Sequence, residues 1–584
     1  MKTKPVAEKL TWDRLLGSAL RRLGRPIDRA FARRHPSAFE RKLIRLAAPL
    51  VRLMEPNDKW SLGVHAPMWA RAAADAPVRF AAESPKRIFL WCCYRGQFSL
   101  ELSHAAMLAA IGHRVTVGYL PKLGSPIKNP LVDDPSAPDY LADALGTVED
   151  VSQGRIRIVC FAGIEAPPGY AVDSRLLDQQ AHADSIMRLG VESIDEQRPD
   201  HAEALRYYRE LSESIDRRAQ GFFANFKGAF DLVLLGNGMT SESSWILRAA
   251  KKYGFEVATF EKFAFRHTRI VSHGDTVFSF SDLDRMWRRR AELGYVSQPF
   301  MARAVGKAHQ ILDERRRAVT KNWALKYQFA PNQSDEAALA AIDLSPTKPY
   351  ILICTNVPYD AGYYQFTTLF PSMKAWLLET VAFLLEWTSC EIVVRIHPGE
   401  AIHQSVKEYS LDNLAEAGLT SQPRVRIVGP KDAVNSYPLM ANCQAGVVFS
   451  STTAIEMAMM GRPVIVGSDV YFAKRGFTHD CPSREVYFET LREFASLPAR
   501  GADDPQTAER AALLYFLVHF ALQLPYPYDK GIDLRRLPPT QALRAPDFEK
   551  FLPFFAIATA TGDEIDAAFD KYLHADCLQA RVPW

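Results

Sequence analysis

The sequence predicts an α/β protein of two Rossmann-like, doubly wound lobes, with a basic helical extension before them and a helical tail after them. Three observations carry this. A chain of 584 residues is too long for one hydrophobic core. Two stretches, opening near Arg87 and near Tyr350, alternate apolar runs with helical segments, as parallel strands buried on both faces do when crossover helices join them. A polar, helical run over 282–325 separates the two. The implied divisions are 1–80, 81–335, 336–520 and 521–584.

Composition narrows the class. Hydrophobic residues make up 48% of the chain and charged residues 24%, far too apolar for wholesale disorder. Eight cysteines are scattered without a C-x-x-C pair, which excludes a disulfide scaffold or zinc ribbon and fits a reducing compartment. Residues 1–55 hold 14 basic against 5 acidic side chains, a net +9, so the rest carries −5 of the total of +4. A mildly acidic body argues against a nucleic-acid partner.

The extension comes first. Leu16, Leu20, Leu23, Ile27 and Phe31 recur at helical spacing among seven arginines, Pro26 interrupts them, and 39–53 repeats the composition. Two short cationic amphipathic helices follow, either adsorbed to an anionic membrane surface or docked as a cap with their charges in water. With no signal peptide and no apolar span of about 20 residues, the expectation is a cytoplasmic chain, peripheral on the inner membrane if the basic helices adsorb.

In the first lobe, strands are expected at 88–94, 114–119, 156–161, 231–235 and 256–260, with a helix over 98–111 stopped by Gly112 and a long charged helical region at 175–225. In the second they are expected at 350–355, 391–396, 425–428, 445–449 and 464–466, with helices at 370–388 and 453–460. A helical tail at 548–573 packs on one of the lobes. Ligands of such sheets bind beyond the carboxyl ends of the strands, so the loops there are where chemistry is sought.

Two strand exits of the second lobe suit an anion. Arg395-Ile396-His397-Pro398-Gly399 closes one strand, and Pro398 keeps His397 out of helical geometry, so guanidinium and imidazole sit at the rim. Ser450-Ser451-Thr452-Thr453 opens a helix after another strand, where hydroxyls and free N–H groups attract phosphate, with Glu456 one turn inside to meet a ribose. Each motif has a plain reading, a turn histidine and ordinary serine or threonine caps. Together they outline a nucleotide phosphate site.

The segments Thr355-Asn356-Val357-Pro358-Tyr359-Asp360, Val394-Arg395-Ile396-His397-Pro398-Gly399-Glu400, Ser450-Ser451-Thr452-Thr453-Ala454-Ile455-Glu456, Gly461-Arg462-Pro463-Val464 and Tyr471-Phe472-Ala473-Lys474-Arg475-Gly476-Phe477-Thr478 resemble, in order, the bacterial capsule polysaccharide biosynthesis glycosyltransferases, a group that includes the capsule Kdo transferases. Thr259-Phe260-Glu261-Lys262 resembles that family's acidic segment. The resemblance covers roughly 230–490. It implies a GT-B fold with the donor nucleotide on the C-terminal lobe and the acceptor on the N-terminal lobe. The acidic motif of CMP-using sialyltransferases is absent, which leaves the donor base open.

The resulting expectation is a glycosyltransferase that moves a sugar, Kdo or another CMP-activated one, from a nucleotide donor to a lipid-linked or growing surface polysaccharide. Asn356, Arg395, His397, Pro398, Ser450, Ser451, Thr452 and Glu456 form the donor site, and Glu261, with Glu101 in reserve, supplies catalysis. No metal or other cofactor is expected. Asp282-Leu283-Asp284 matches a metal-binding D-x-D only superficially and reads as the N-cap and first turn of a helix. A glycerophosphate or polyol-phosphate transferase and a non-catalytic scaffold of an export complex are the alternatives. Gly236-Asn237-Gly238, Glu242 and His104 carry less weight.

Overall fold

The computed structural model describes residues 62–75, 82, 84–92, 98–120, 145–263, 268–319, 330–359, 368–402, 409–497, 505–526 and 551–574. The two cationic helices expected within 1–55 lie outside these residues. No helix among the described residues is long and apolar enough to cross a membrane.

The first lobe is a seven-stranded sheet. Strands β1 (Arg87–Cys92), β2 (Arg114–Tyr119), β3 (Ile156–Cys160), β4 (Leu232–Gly236) and β5 (Val257–Glu261) run parallel in the order β3-β2-β1-β4-β5. The period-2 pleat sends Ile88 and Leu90 into one core, and Phe89 and Trp91 into another on the opposite face. Each such large apolar side chain contributes about 1.5–3 kcal/mol by leaving water. The charged region at 175–225 resolves into two helices, Ser174–Leu189 and Pro199–Asn225. Asp173 caps the first by accepting from Leu176 N at 3.2 Å, left-handed Gly190 ends it, and a proline in the first turn starts the second.

The second lobe has six parallel strands: β7 (Tyr350–Cys354), β8 (Glu391–Arg395), β9 (Val425–Val428), β10 (Ala445–Val448), β11 (Val464–Val466) and β12 (His479–Asp480), ordered β12-β11-β10-β7-β8-β9. In both lobes the strand order reverses beside the first strand, between β1 and β4 and between β7 and β10. The crevice at each reversal is where such sheets hold ligands.

Two strands of the first sheet are absent from the sequence expectation. β6 (Thr268–His273) runs antiparallel to β5, and β13 (Leu524–Pro525) joins β6 from beyond the second lobe. Helix Pro505–Phe516 and a π-helical turn, Leu517–Ala521, carry the chain back between them. The tail helix Leu552–Ala558 packs on β6 and β5, and helix Leu62–Asp75 on helix Phe98–Ala110. One apolar core therefore runs from the first lobe through the returning helix into the second.

Candidate active site

The rim of the second lobe is a set of strand exits tied together by hydrogen bonds. Ser450 N, after β10, donates to Asn356 Oδ1, after β7, at 3.1 Å. His397 N, after β8, donates to Thr355 Oγ1 at 2.9 Å, and Gly399 N donates to His397 Nδ1 at 2.9 Å. With Nδ1 accepting, the ring proton sits on Nε2. Only glycine fits at 399, since a Cβ would lie 2.7 Å from His397 Nδ1 and 2.9 Å from the Val357 side chain. Ser451 Oγ accepts from Thr453 Oγ1 at 2.9 Å, and the Thr452 side chain makes no cap to the helix Thr453–Met459 it precedes. Asn356, Ser450 and Ser451 are buried, as is Pro398, while His397 and Thr452 are partly exposed.

Two donor-site expectations are corrected. The Arg395 guanidinium is buried, donating from Nη1 to Gly429 O at 2.6 Å and from Nε to Ser436 Oγ at 2.9 Å. Burial pushes it down to about 10. It fastens the loop after β9 and the start of helix Ser436–Asn442, and does not present itself to a phosphate. Glu456 is likewise withdrawn from any ribose. Its Oε1 lies 2.6 Å from Arg315 Nη1 and accepts from Tyr515 Oη at 3.3 Å, within the core of the returning helix. The carboxylate serves the junction of the lobes.

In the first lobe, half-buried Glu261 ends β5, with Oε2 accepting from Asn237 Nδ2 at 3.2 Å and Oε1 from Lys262 N at 2.7 Å. Asn237 Oδ1 accepts from Met239 N at 3.0 Å, so the lightly weighted Gly236-Asn237-Gly238 turn positions this carboxylate. Glu101, on the helix after β1, is 2% exposed, and its Oε2 has no hydrogen-bond partner. Burial pushes its carboxyl up to about 8, with Arg269 opposing the rise and the Glu261 charge adding to it. Two strand exits thus bring two acids within each other's field. His104 Nδ1 lies 4.0 Å from Glu101 Oε2, the ring being buried among Phe260, Tyr526, Phe554 and Phe555 and pushed by burial down to about 3.

Sequence reasoning missed a further acid pair. Asp184 accepts from Ser241 N at 2.9 Å and Gln180 Nε2 at 3.1 Å, and burial with the neighbouring Glu242 charge pushes it up to about 7. Only an aspartate within an apolar helical stripe could have flagged it.

The D-x-D acids are structural. Asp282 is 1% exposed and sits inside the helix start, not at its cap, which is left-handed Phe280. Its Oδ2 lies 2.7 Å from His273 Nδ1 and accepts from His273 N at 3.2 Å. Asp284 pairs with Arg288 at 2.7 Å and with Arg475 of the second lobe at 3.4 Å. No group of three His, Cys, Asp or Glu side chains among the described residues is placed to hold a metal ion.

The lobes meet beside these rims. Phe280 stacks on Tyr471 with centroids 4.1 Å apart, and Ile186 packs on Val357 and Tyr359. Two Rossmann-like sheets are joined by these contacts, and the chain returns from the second to complete the first. This is the GT-B arrangement. No protein-family model matches the chain, and no curated protein sequence matches it significantly. Among solved structures it is similar to KpsC of Thermosulfurimonas dismutans, beta Kdo 2,4 transferase, at 16% identity over 49% of this chain and 80% of that one, with a TM-score of 0.31. The beta Kdo 2,7 transferase of the same KpsC follows at 14% identity, 51% and 79% coverage and a TM-score of 0.28. The UDP-GlcNAc 2-epimerase of Neisseria meningitidis, bound to UDP-GlcNAc, aligns at 12% identity over 74% of this chain and all (100%) of that one, with a TM-score of 0.23.

Proposed function

We propose that the protein is a nucleotide-sugar glycosyltransferase, acting on a lipid-linked or growing surface polysaccharide with a CMP-activated sugar such as Kdo as the leading donor. The observation that carries this reading is two unlike rims on one chain: strand exits at the β7/β10 reversal whose backbone is held by Asn356 and Thr355, and the Glu261 and Glu101 carboxyls at the first lobe's strand exits. His397 Nε2–H and the hydroxyls of Ser450, Ser451 and Thr452 meet the donor phosphate as its charge develops on departure. Asn356 and Pro398 fix the rim. Glu261 takes the proton of the attacking acceptor hydroxyl, while Glu101, kept neutral by burial, leaves that charge undivided. No divalent cation is assigned a part, and transfer is expected to survive excess EDTA.

The test is a thermal-shift panel of CMP, CDP, UDP, GDP and their sugars. A ligand at about 100 times its dissociation constant stabilises by about 2.7 kcal/mol. CMP and CMP-sugars are expected to raise Tm above the others, and nucleotide release from CMP-sugars, not CDP-polyols, separates sugar transfer from polyol-phosphate transfer. A panel with no response from any nucleotide would overturn the reading.

A further inference from the structure

Helix Ser174–Leu189 and the turn after it touch both rims. Toward the first lobe, Gln180 Nε2 donates to Met239 O at 2.7 Å, and Asp184 Oδ2 accepts from Ser241 N at 2.9 Å. Both contacts fall on the loop after β4, the loop whose Asn237 holds Glu261. Toward the second lobe, Ile186 and Ile194 form one apolar cluster with Val357 and Tyr359, which follow Asn356 in the chain. A Cβ at Gly399 would lie 2.9 Å from the Val357 side chain, so the cluster also abuts the loop of His397. Asp184 and Ile186 are two residues apart, which at about 100° per residue sets them on opposite sides of the helix and lets one helix reach both lobes.

The link continues past left-handed Gly190, which ends the helix. There the Glu192 carboxylate crosses to the second lobe, accepting from Met373 N and, at 3.1 Å, from Lys374 N. These are the first two N–H groups of helix Met373–Trp387, which a helix leaves without an internal partner. Ser372 Oγ accepts from the next one, Ala375 N, at 2.9 Å. A first-lobe acid therefore caps a second-lobe helix, where the helix dipole also favours a negative charge. The contact is small, and its apolar cluster stands apart from the core that runs through the returning helix. Small interfaces between domains leave relative movement as the default, so this contact can part while the larger junction holds.

We infer that residues 180–192 are a strap that couples the two rims: Glu192 and Ile186 grip the second lobe, and Gln180 and Asp184 pass that grip to the loop holding Glu261. Parting at Glu192 loosens the anchor on Ser241, and loosening the loop after β4 weakens the cap on Met373 and Lys374. The coupling of the two loops does not depend on the proposed function. Its consequence for catalysis, that Glu261 is held in place while the rims are tied, rests on that reading.

The experiment measures amide hydrogen exchange of the full chain by mass spectrometry, resolved to single amides, in the wild type, Glu192→Ala and Gln180→Ala. Glu192→Ala is expected to speed exchange at Met373 and Lys374 about fivefold, as loss of a cap would, and to speed it also at Ser241, whose amide bonds to Asp184 instead. Coupling is reciprocal, so Gln180→Ala is expected to speed exchange at Met373 and Lys374 as well as at Ser241. The amides of β10, in the middle of the second sheet, are the control and are expected to stay unchanged. Glu192→Gln keeps one acceptor oxygen, is expected to fall between the wild type and Glu192→Ala, and replaces the latter if that variant does not fold. Unchanged exchange at Ser241 in the Glu192 variants, or at Met373 and Lys374 in Gln180→Ala, would overturn the strap. So would an equal rise in β10, the mark of a general loss of stability. A silent nucleotide panel with the reciprocal effects intact would remove the glycosyltransferase reading and leave the strap standing.

Discussion

The rim of the second lobe and the rim of the first are built from the same strand exits and do opposite things with them. Around β7, β8 and β10, side chains hold backbone: Asn356 accepts from Ser450 N, Thr355 from His397 N and His397 from Gly399 N. Around β1, β4 and β5, the sheet buries acids, with Glu101 raised to about 8 and Asp184 to about 7 by burial. On the proposed function, a rim held in this way presents the His397 ring and the Ser450 and Thr452 hydroxyls to charge that appears on a leaving phosphate, and a buried neutral acid beside Glu261 leaves that carboxylate to take a proton. One architecture yields both because the β-α loops vary while the crevice does not.

The largest expected effect comes from breaking an ion pair that joins the two lobes. Arg315→Met leaves Glu456 charged, buried and without its ion-pair partner, which costs about 3–5 kcal/mol. Urea unfolding followed by circular dichroism should show the midpoint fall, and an unchanged midpoint would mean that this ion pair does not hold the lobes together. Next, Glu261→Gln is expected to lower turnover on the order of 100-fold with donor affinity nearly intact. A matching loss of folding would make Glu261 structural and dissolve the contrast between the rims.

His397→Ala addresses the other rim. Removing one charge-assisted contact of about 1.5–3 kcal/mol weakens nucleotide binding by about 10- to 100-fold, measured by calorimetry, while the partly exposed ring leaves stability almost unchanged. Unchanged donor affinity would strike His397 from the site. Per unit of pH, the smallest effect is that of Glu101. Glu101 is raised from an ordinary value of 4.5 to about 8 in the folded chain, so the folded state holds a proton that the unfolded state releases. Its contribution is fully present below about 4.5 and is lost as pH rises toward about 8, with a slope of at most about 1.4 kcal/mol per unit. Glu101→Gln should flatten that slope in urea midpoints taken from pH 5 to 9, and an identical slope in the variant would assign the titration elsewhere.

Much of the scaffold was legible because parallel strands buried on both faces read as short apolar runs. β2, β9 and β11 stand at Arg114–Tyr119, Val425–Val428 and Val464–Val466, the limits that the apolar runs alone predict. The strand exits carrying His397, Ser450 and Glu261 were legible for the same reason, since position at the end of such a run is a local property.

Direction was not legible. Arg395 and Glu456 sit where the sequence puts them, yet their side chains turn to Gly429 and Ser436 in one case and to Arg315 in the other. β6 was missed because its polar run is stabilised by β5 and by β13, and Thr268 finds Gln523 only after the chain has passed through the whole second lobe. The sequence by itself determined two alternating α/β lobes, their strand exits and the residue types at those exits, because apolar periodicity and turn chemistry act over a few neighbours. Only the tertiary structure decided which of those side chains turn inward and which acids are buried enough to hold a proton near neutrality. Each of these depends on what distant segments place around a group, and desolvation and pairing are properties of that surrounding.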